Sequence, residues 1–451
     1  MNNSTITLIF DSQKSLPMKY PPISKNLFIE NRKKYAALLQ AKSIAFFNAN
    51  DEMPRNGDGT FKFRQNSDLF WLTGIDQEQT VLILFPDSPL PQYKEILFLR
   101  ATNEKIAIWE GHKYTIEEAR AQSGIQTVLW MEEFNMVAPM LMNHAQNVYF
   151  NINENDRYNN PVPYRDLRFA NDWKQKYPSH TYERSGPLMA QLRSIKSEEE
   201  IKLVQIACSI TDKAFRRVLN FVKPGVMEYE IEAEVIHEFI RNRATDHAYY
   251  PIIASGYSAC VLHYNDNNKE CKDGEVILMD FGCEYANYAA DLTRCIPVNG
   301  KFTKRQRQVY DAVLRVMRAA TKMLVPGNTI EKYHVEVGKI MEEELLGLGL
   351  ITKDDIKNQK PDLPAYKKYF MHGTSHFLGL DVHDIGNKYE PMKAGMVFTC
   401  EPGIYIPEEN LGIRIESDFL ITDKGQLDLM ASIPIEAGEI EEIMQSSKEL
   451  V

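Results

Sequence analysis

No apolar run in this chain approaches the ~18 residues that would span a bilayer. The strongest runs, Val81 to Phe85 and Val276 to Met279, have the length of strands. Cysteine is scarce: the six residues Cys208, Cys260, Cys271, Cys283, Cys295 and Cys400 include no C-x-x-C pair. That argues against a disulfide framework and against a thiolate zinc site, and leaves reduced, mostly buried thiols as the expectation. Positive charge is not in excess, with 52 Lys plus Arg against 62 Asp plus Glu for a net charge of −10. Basic residues are scattered apart from short clusters such as Arg32-Lys33-Lys34, so no nucleic acid and no membrane is expected as a partner. The stretch Met1 to Phe10 has a brief apolar patch but neither a basic region before it nor a small-residue cleavage site after it. A cytoplasmic chain without low-complexity tracts is the reading.

What is present is core: 44% hydrophobic residues over 451 positions, enough for two domains. Up to about residue 175, apolar runs (Thr80 to Phe85, Glu95 to Leu99, Asn147 to Phe150) alternate with helical patterns such as Leu27 to Lys42 and Met131 to His144. That alternation predicts an α/β domain over 1–175. A polar stretch from Asn151 to Pro187, carrying Pro161, Pro163, Pro178 and Pro187, contains the boundary. The second domain, 176–451, opens on Ser197-Glu198-Glu199-Glu200, a capping box. Helices are predicted from Ser197 to a stop at Pro224-Gly225, and near 228–243, 304–324 and 329–348, with strands over 248–294 and 369–422. Helix pairs bracketing antiparallel strands twice over make an α+β domain with internal pseudo-symmetry.

Five potential metal ligands recur in that second half: Asp280, Asp291, His376, Glu401 and Glu416. If they converge, a formal charge of about −4 calls for two divalent cations, and oxygen-rich ligation suits hard ions. A dinuclear site in turn predicts hydrolysis, with water made nucleophilic and a carbonyl polarised. The run from Glu275 to Arg294 reads as a β-hairpin centred near residue 285, which sets Asp280 against Asp291 on one face. Two carboxylates so placed repel unless a cation lies between them. His372-Gly-Thr-Ser-His376 has the i, i+4 spacing of a zinc helix, but Gly373-Thr374-Ser375 is a poor helix interior, so a loop with one metal-bound histidine is expected. Three of the chain's ten histidines, His372, His376 and His383, fall between residues 372 and 383. Glu401 and Glu416 each lie in an apolar strand context, where a carboxylate needs a metal or a cation; for Glu401 a salt bridge from Arg414 is the competing explanation. Alternation in Arg414-Ile415-Glu416 puts Arg414 and Glu416 on one face.

The segments HYNDNNKECKDGEVILMDFGCEYANYAADLTR, MHGTSHFLGLDVHDIG, EPGIYI and GIRIESD, in this order, resemble the pita-bread metallopeptidases. With FRQNSDLFWLTGI near the N-terminus, they resemble in particular the proline-specific aminopeptidase P branch. The resemblance implies a creatinase-type N-terminal domain before a pita-bread catalytic domain. It implies that Asp280 holds one metal, that Asp291 and Glu416 bridge two, and that His376 and Glu401 complete the second site. It further implies that His263 and His383 flank the scissile carbonyl, that Glu401 shuttles a proton, and that His372, Tyr405 and Arg414 line the proline end. The implied cofactor is a pair of Mn2+ ions, with Co2+, Fe2+ or Zn2+ as substitutes, and the implied partner is a peptide with trans proline in second position. Relatives form homodimers and homotetramers, and an aromatic of the N-terminal motif, Phe70 or Trp71, is expected at a neighbouring cleft. A prolidase restricted to dipeptides and a non-catalytic binding module are the alternatives, the second disfavoured by the complete acidic set.

Overall fold

The computed structural model describes residues 19–155, 157–158 and 161–446; the stretch Met1 to Phe10 lies outside them. Strand Ser43–Asn48 is apolar on both faces because both are covered: Ile44 and Phe46 join one core, Ala45 and Phe47 the other. It is central in a six-stranded mixed sheet, ordered Thr127–Trp130, Glu95–Leu99, Val81–Leu84, Ser43–Asn48, Asn147–Phe150, Thr181–Arg184. The helical pattern expected from Leu27 to Lys42 stops at Ala36, and Lys42 adopts a left-handed φ of 56° that turns the chain into the strand. Helix Arg165–Lys176 runs through the division drawn at residue 175, and strand Thr181–Arg184 pairs in parallel with Asn147–Phe150. We propose that the N-terminal domain ends at Ser185, a few residues later than the composition suggested.

Ser197 does cap its helix: its hydroxyl accepts from Glu200 N, and the Glu200 carboxylate accepts from Ser197 N at 2.8 Å. Such a cap stabilises by about 1 kcal/mol and fixes where the second domain starts. Helices Glu198–Phe221 and Glu228–Arg241 form one pair, Lys304–Thr321 and Ile330–Gly347 the other. The strands they bracket are antiparallel: Ile252–Ser255, Val276–Asp280 and Thr293–Pro297 in one sheet, Val397–Cys400, Ser417–Thr422 and Gly425–Asp428 in another. Among the described residues no helix is long and apolar enough to cross a membrane.

The two domains meet through named side chains. Trp71 Nε1 donates to Glu200 Oε1 at 2.9 Å, and Arg64 Nη2 donates to Leu380 O at 2.9 Å. These contacts correct one expectation. Phe70 and Trp71 are 1% and 2% exposed inside their own chain, so neither is free to reach a neighbouring subunit.

Candidate metal centre

The hairpin that carries two of the acids turns on Ala286 and Asn287, both with left-handed φ (52° and 68°), as a two-residue type I′ turn requires. The turn lies beyond the centre expected near residue 285, so Asp280 pairs with Thr293 and not with Asp291. The register persists through the bend: Phe281 N donates to Leu292 O at 3.0 Å and Ala290 N to Cys283 O at 3.1 Å, which sets Asp291 across from Gly282. A Cβ on Gly282 would lie 1.7 Å from Ala290 O, so only glycine permits this close approach. Asp291 is two residues before Thr293, and the two-residue repeat returns it to the face Asp280 uses.

Asp291, His376 and Glu416 come together there, offering ligand atoms all within 4.8 Å of one another. His376 Nδ1 lies 2.9 Å from Phe377 O, which places the proton on Nδ1 and leaves the Nε2 lone pair facing Asp291 Oδ2 at 3.4 Å and Glu401 Oε1 at 3.7 Å. Glu416 Oε2 accepts from Thr293 Oγ1 at 2.6 Å. The Tyr249 hydroxyl lies 2.5 Å from Asp280 Oδ1 and also contacts Asp291 Oδ1. One phenolic proton serves only one of those carboxylates, so the pair calls for a further proton or a cation.

The electrostatics say the same. Burial, and then the charge of Asp280, push the Asp291 carboxyl well above the carboxylate range; burial, and then Asp291, do so for Glu416. Burial lifts Glu401 to about 7 against the opposing pull of His376 and Arg414. These are oxygen donors that hold protons tightly for want of positive charge, and the donor set therefore fits divalent ions. Because a ligand carboxyl must lose its proton to bind metal, Mn2+ affinity of chelator-treated protein is expected to fall about tenfold per pH unit as pH drops below 7. Calorimetry in two buffers of different ionisation enthalpy measures the proton released; pH-independent affinity would contradict the assignment of Glu401.

Around the acids run two polar chains. Arg414 Nη2 donates to Asp280 Oδ2 at 2.6 Å, Nε to Thr293 Oγ1 at 3.1 Å and Nη1 to the Tyr405 hydroxyl at 2.9 Å. The salt bridge weighed for Glu401 thus goes to Asp280. Tyr405 lies 2.7 Å from His372 Nε2, whose Nδ1 is 2.7 Å from Gly373 O, so His372 is an acceptor at Nε2 and a donor at Nδ1. On the other side, the His383 ring stands 4.4 Å from that of His376. Burial lowers both His372 and His383 to about 3, keeping them neutral near pH 7. His263 is exposed on the turn after Gly256–Cys260, near enough to His372 and His383 to act on both electrostatically.

Tyr249, Thr293 and Arg157 were not singled out from the sequence. Thr293 was implicit in the hairpin once the turn is placed correctly. Arg157, whose Nη1 meets His383 Nε2 at 2.9 Å, comes from the polar inter-domain stretch and carried no signal. Tyr249, His376 and His383 border a cleft of about 2150 Å³ lined from both domains, with Asn50, Arg64 and Arg184 on the opposite side.

Convergent carboxylates and an imidazole beside an inter-domain cleft make a candidate metal-binding centre. Residues 202–423 match metallopeptidase family M24, and residues 28–149 match the N-terminal domain of aminopeptidase P. The chain is 35% identical to the Xaa-Pro aminopeptidase of Haemophilus influenzae over 94% of its own length and 98% of the relative's. Against the Xaa-Pro aminopeptidase of Escherichia coli the figures are 34%, 94% and 99%. Aminopeptidase P from E. coli with the inhibitor Pro-Leu superposes with a TM-score of 0.85 at 33% identity, covering 95% of this chain and 100% of that one. The chain belongs to metallopeptidase family M24.

Proposed function

We propose that this chain removes the first residue from peptides with proline in second position, by metal-dependent hydrolysis at a dinuclear centre. The observation that carries it is the meeting of Asp291, His376 and Glu416 in an M24 chain, with His376 on the wall of the inter-domain cleft. In this reading Asp280, Asp291, His376, Glu401 and Glu416 would hold the ions, with Asp291 and Glu416 the ligands that both would share. The hard donors favour Mn2+, while Co2+, Fe2+ or Zn2+ remain compatible with them. When bound, the ions supply Lewis acidity and lower the pKa of coordinated water.

The chain's own residues do the rest. Glu401, beside His376 and the acids, is assigned transfer of a proton to the prolyl nitrogen. His263 and His383 are assigned as donors to the scissile carbonyl oxygen, each worth about 3 kcal/mol in such a role. As long as Arg157 donates to His383 Nε2, that nitrogen carries no proton, so Arg157, which is exposed, must give way. His372, Tyr405 and Arg414 are assigned to the proline end, where a tertiary amide without N–H has to be recognised by ring shape. Six unpaired cysteines suit a reducing cytoplasm. Contacts between N-terminal domains would make a homodimer or homotetramer, whose mass light scattering reads.

A dipeptidase reading draws on one observation, Arg157 beside His383, a cation that could meet a free proline carboxylate. The cleft's volume of about 2150 Å³ favours longer peptides. Gly-Pro-Gly should give glycine and Pro-Gly, and Gly-Ala-Gly should turn over at least ~100-fold more slowly. Gly-Pro turned over faster than Gly-Pro-Gly would move the assignment to the dipeptidase; equal turnover of Gly-Ala-Gly would remove proline specificity altogether.

A further inference from the structure

Next to His383 in sequence is Asp384, whose side chain is 1% exposed and ionically paired on both oxygens: Lys196 Nζ donates to Oδ2 at 2.9 Å, and Arg193 Nη2 donates to Oδ1. Arg193 also donates to Asp68 Oδ1 at 2.7 Å and Asp381 Oδ2 at 2.8 Å, and Ser67 Oγ donates to Asp381 Oδ1 at 2.8 Å. Arg64 holds Leu380 O. Gly379 closes the loop: a Cβ there would lie 2.2 Å from Asp384 Oδ2 and 2.8 Å from Lys196 Cε.

Loop 379–384 is thus gripped by charges from the N-terminal domain and from the segment joining it to the second domain, and none of these charges belongs to the acidic centre. Burial of such a network is a poor source of stability, since desolvation offsets most of the attraction, and Arg193 Nε is left without a partner among the described residues. What a doubly held carboxylate does supply is a fixed backbone at residue 384, and hence at His383. We propose that Lys196 and Arg193, acting through Asp384, are positioning residues that hold His383 over the metal centre. The proposal rests on the role given to His383 above.

Lys196→Met keeps the aliphatic stem and removes the ammonium; Asp384→Asn, close in shape, serves where that variant folds poorly. Either should lower kcat/KM on Gly-Pro-Gly by about 10–100-fold, the loss falling mainly on kcat, with Mn2+ uptake unchanged. In a His383→Ala background the same substitution should cost less than about 2-fold, because the group being positioned is gone. Equal losses in both backgrounds would overturn the proposal. Independently of activity, amide exchange over 379–386 should rise at least ~10-fold in the variant while strand Val276–Asp280 is unaffected. Unchanged exchange sinks the positioning role even if the peptidase reading stands. Faster exchange in a protein whose wild type ignores Gly-Pro-Gly leaves the grip on the loop intact and removes only the peptidase reading.

Discussion

Asp291→Asn is expected to lower kcat/KM on Gly-Pro-Gly by at least ~1000-fold, about 4 kcal/mol, and at the same time to make the chelated protein more stable. The two effects have one cause. Asp291 stands at the middle of the centre, in contact with Tyr249 and 3.4 Å from His376 Nε2; the charge of Asp280 raises its proton affinity, and its own charge raises that of Glu416. Asparagine keeps the shape and hydrogen-bonding reach but loses the anion, so the ligand proposed above is lost and a buried repulsion is relieved. Chelation of the wild type should cost comparable activity, restored by Mn2+. Thermal melts in chelator, with and without the substitution, read the stability half. A variant that melts lower than wild type without metal would mean that Asp291 is already compensated by protein groups. Full activity after exhaustive metal removal would refute the dinuclear mechanism.

Residue type and order made the acidic set legible, because a carboxylate in an apolar strand is conspicuous without coordinates. Which acids share a face was legible for an instructive reason. The hairpin centre was misplaced, since Ala286 gives no hint of the left-handed conformation it adopts, yet Asp280 and Asp291 still face the same way. The period of two forgives a shift that moves a partner by two positions. The helices and the capping box were readable because they are local; the strand Thr181–Arg184 was not, because its alternation is polar and its pairing with Asn147–Phe150 is parallel and distant. Arg157, Arg193 and Lys196 act across the domain junction, and a contact between residues hundreds of positions apart leaves no spacing to find. The aromatic pair Phe70 and Trp71 misled for the complementary reason: the motif was visible, but the burial that decides its use depends on Glu200 in the other domain.

Replacing Arg414 by Met should destabilise the chelated protein by about 3–5 kcal/mol and the Mn2+-loaded protein by clearly less. The guanidinium is 4% exposed and is the cation paired directly with Asp280, while also holding Thr293 and Tyr405. Without metal its removal leaves Asp280 buried beside Asp291 with a tyrosine hydroxyl shared between them. With metal bound, a divalent charge takes over much of the compensation, so the variant's stability should become more dependent on Mn2+ than that of the wild type. Arg414→Lys should not restore the native behaviour, because one ammonium cannot serve three acceptors from the planar fork that Arg414 presents. Activity should fall in both variants even when they are loaded, since the chain Arg414, Tyr405, His372 loses the end that fixes its direction. Unfolding by denaturant in chelator and in excess Mn2+ gives the difference. An equal loss under the two conditions would show that Arg414 is a packing residue and that Asp280 does not share its charge with a metal.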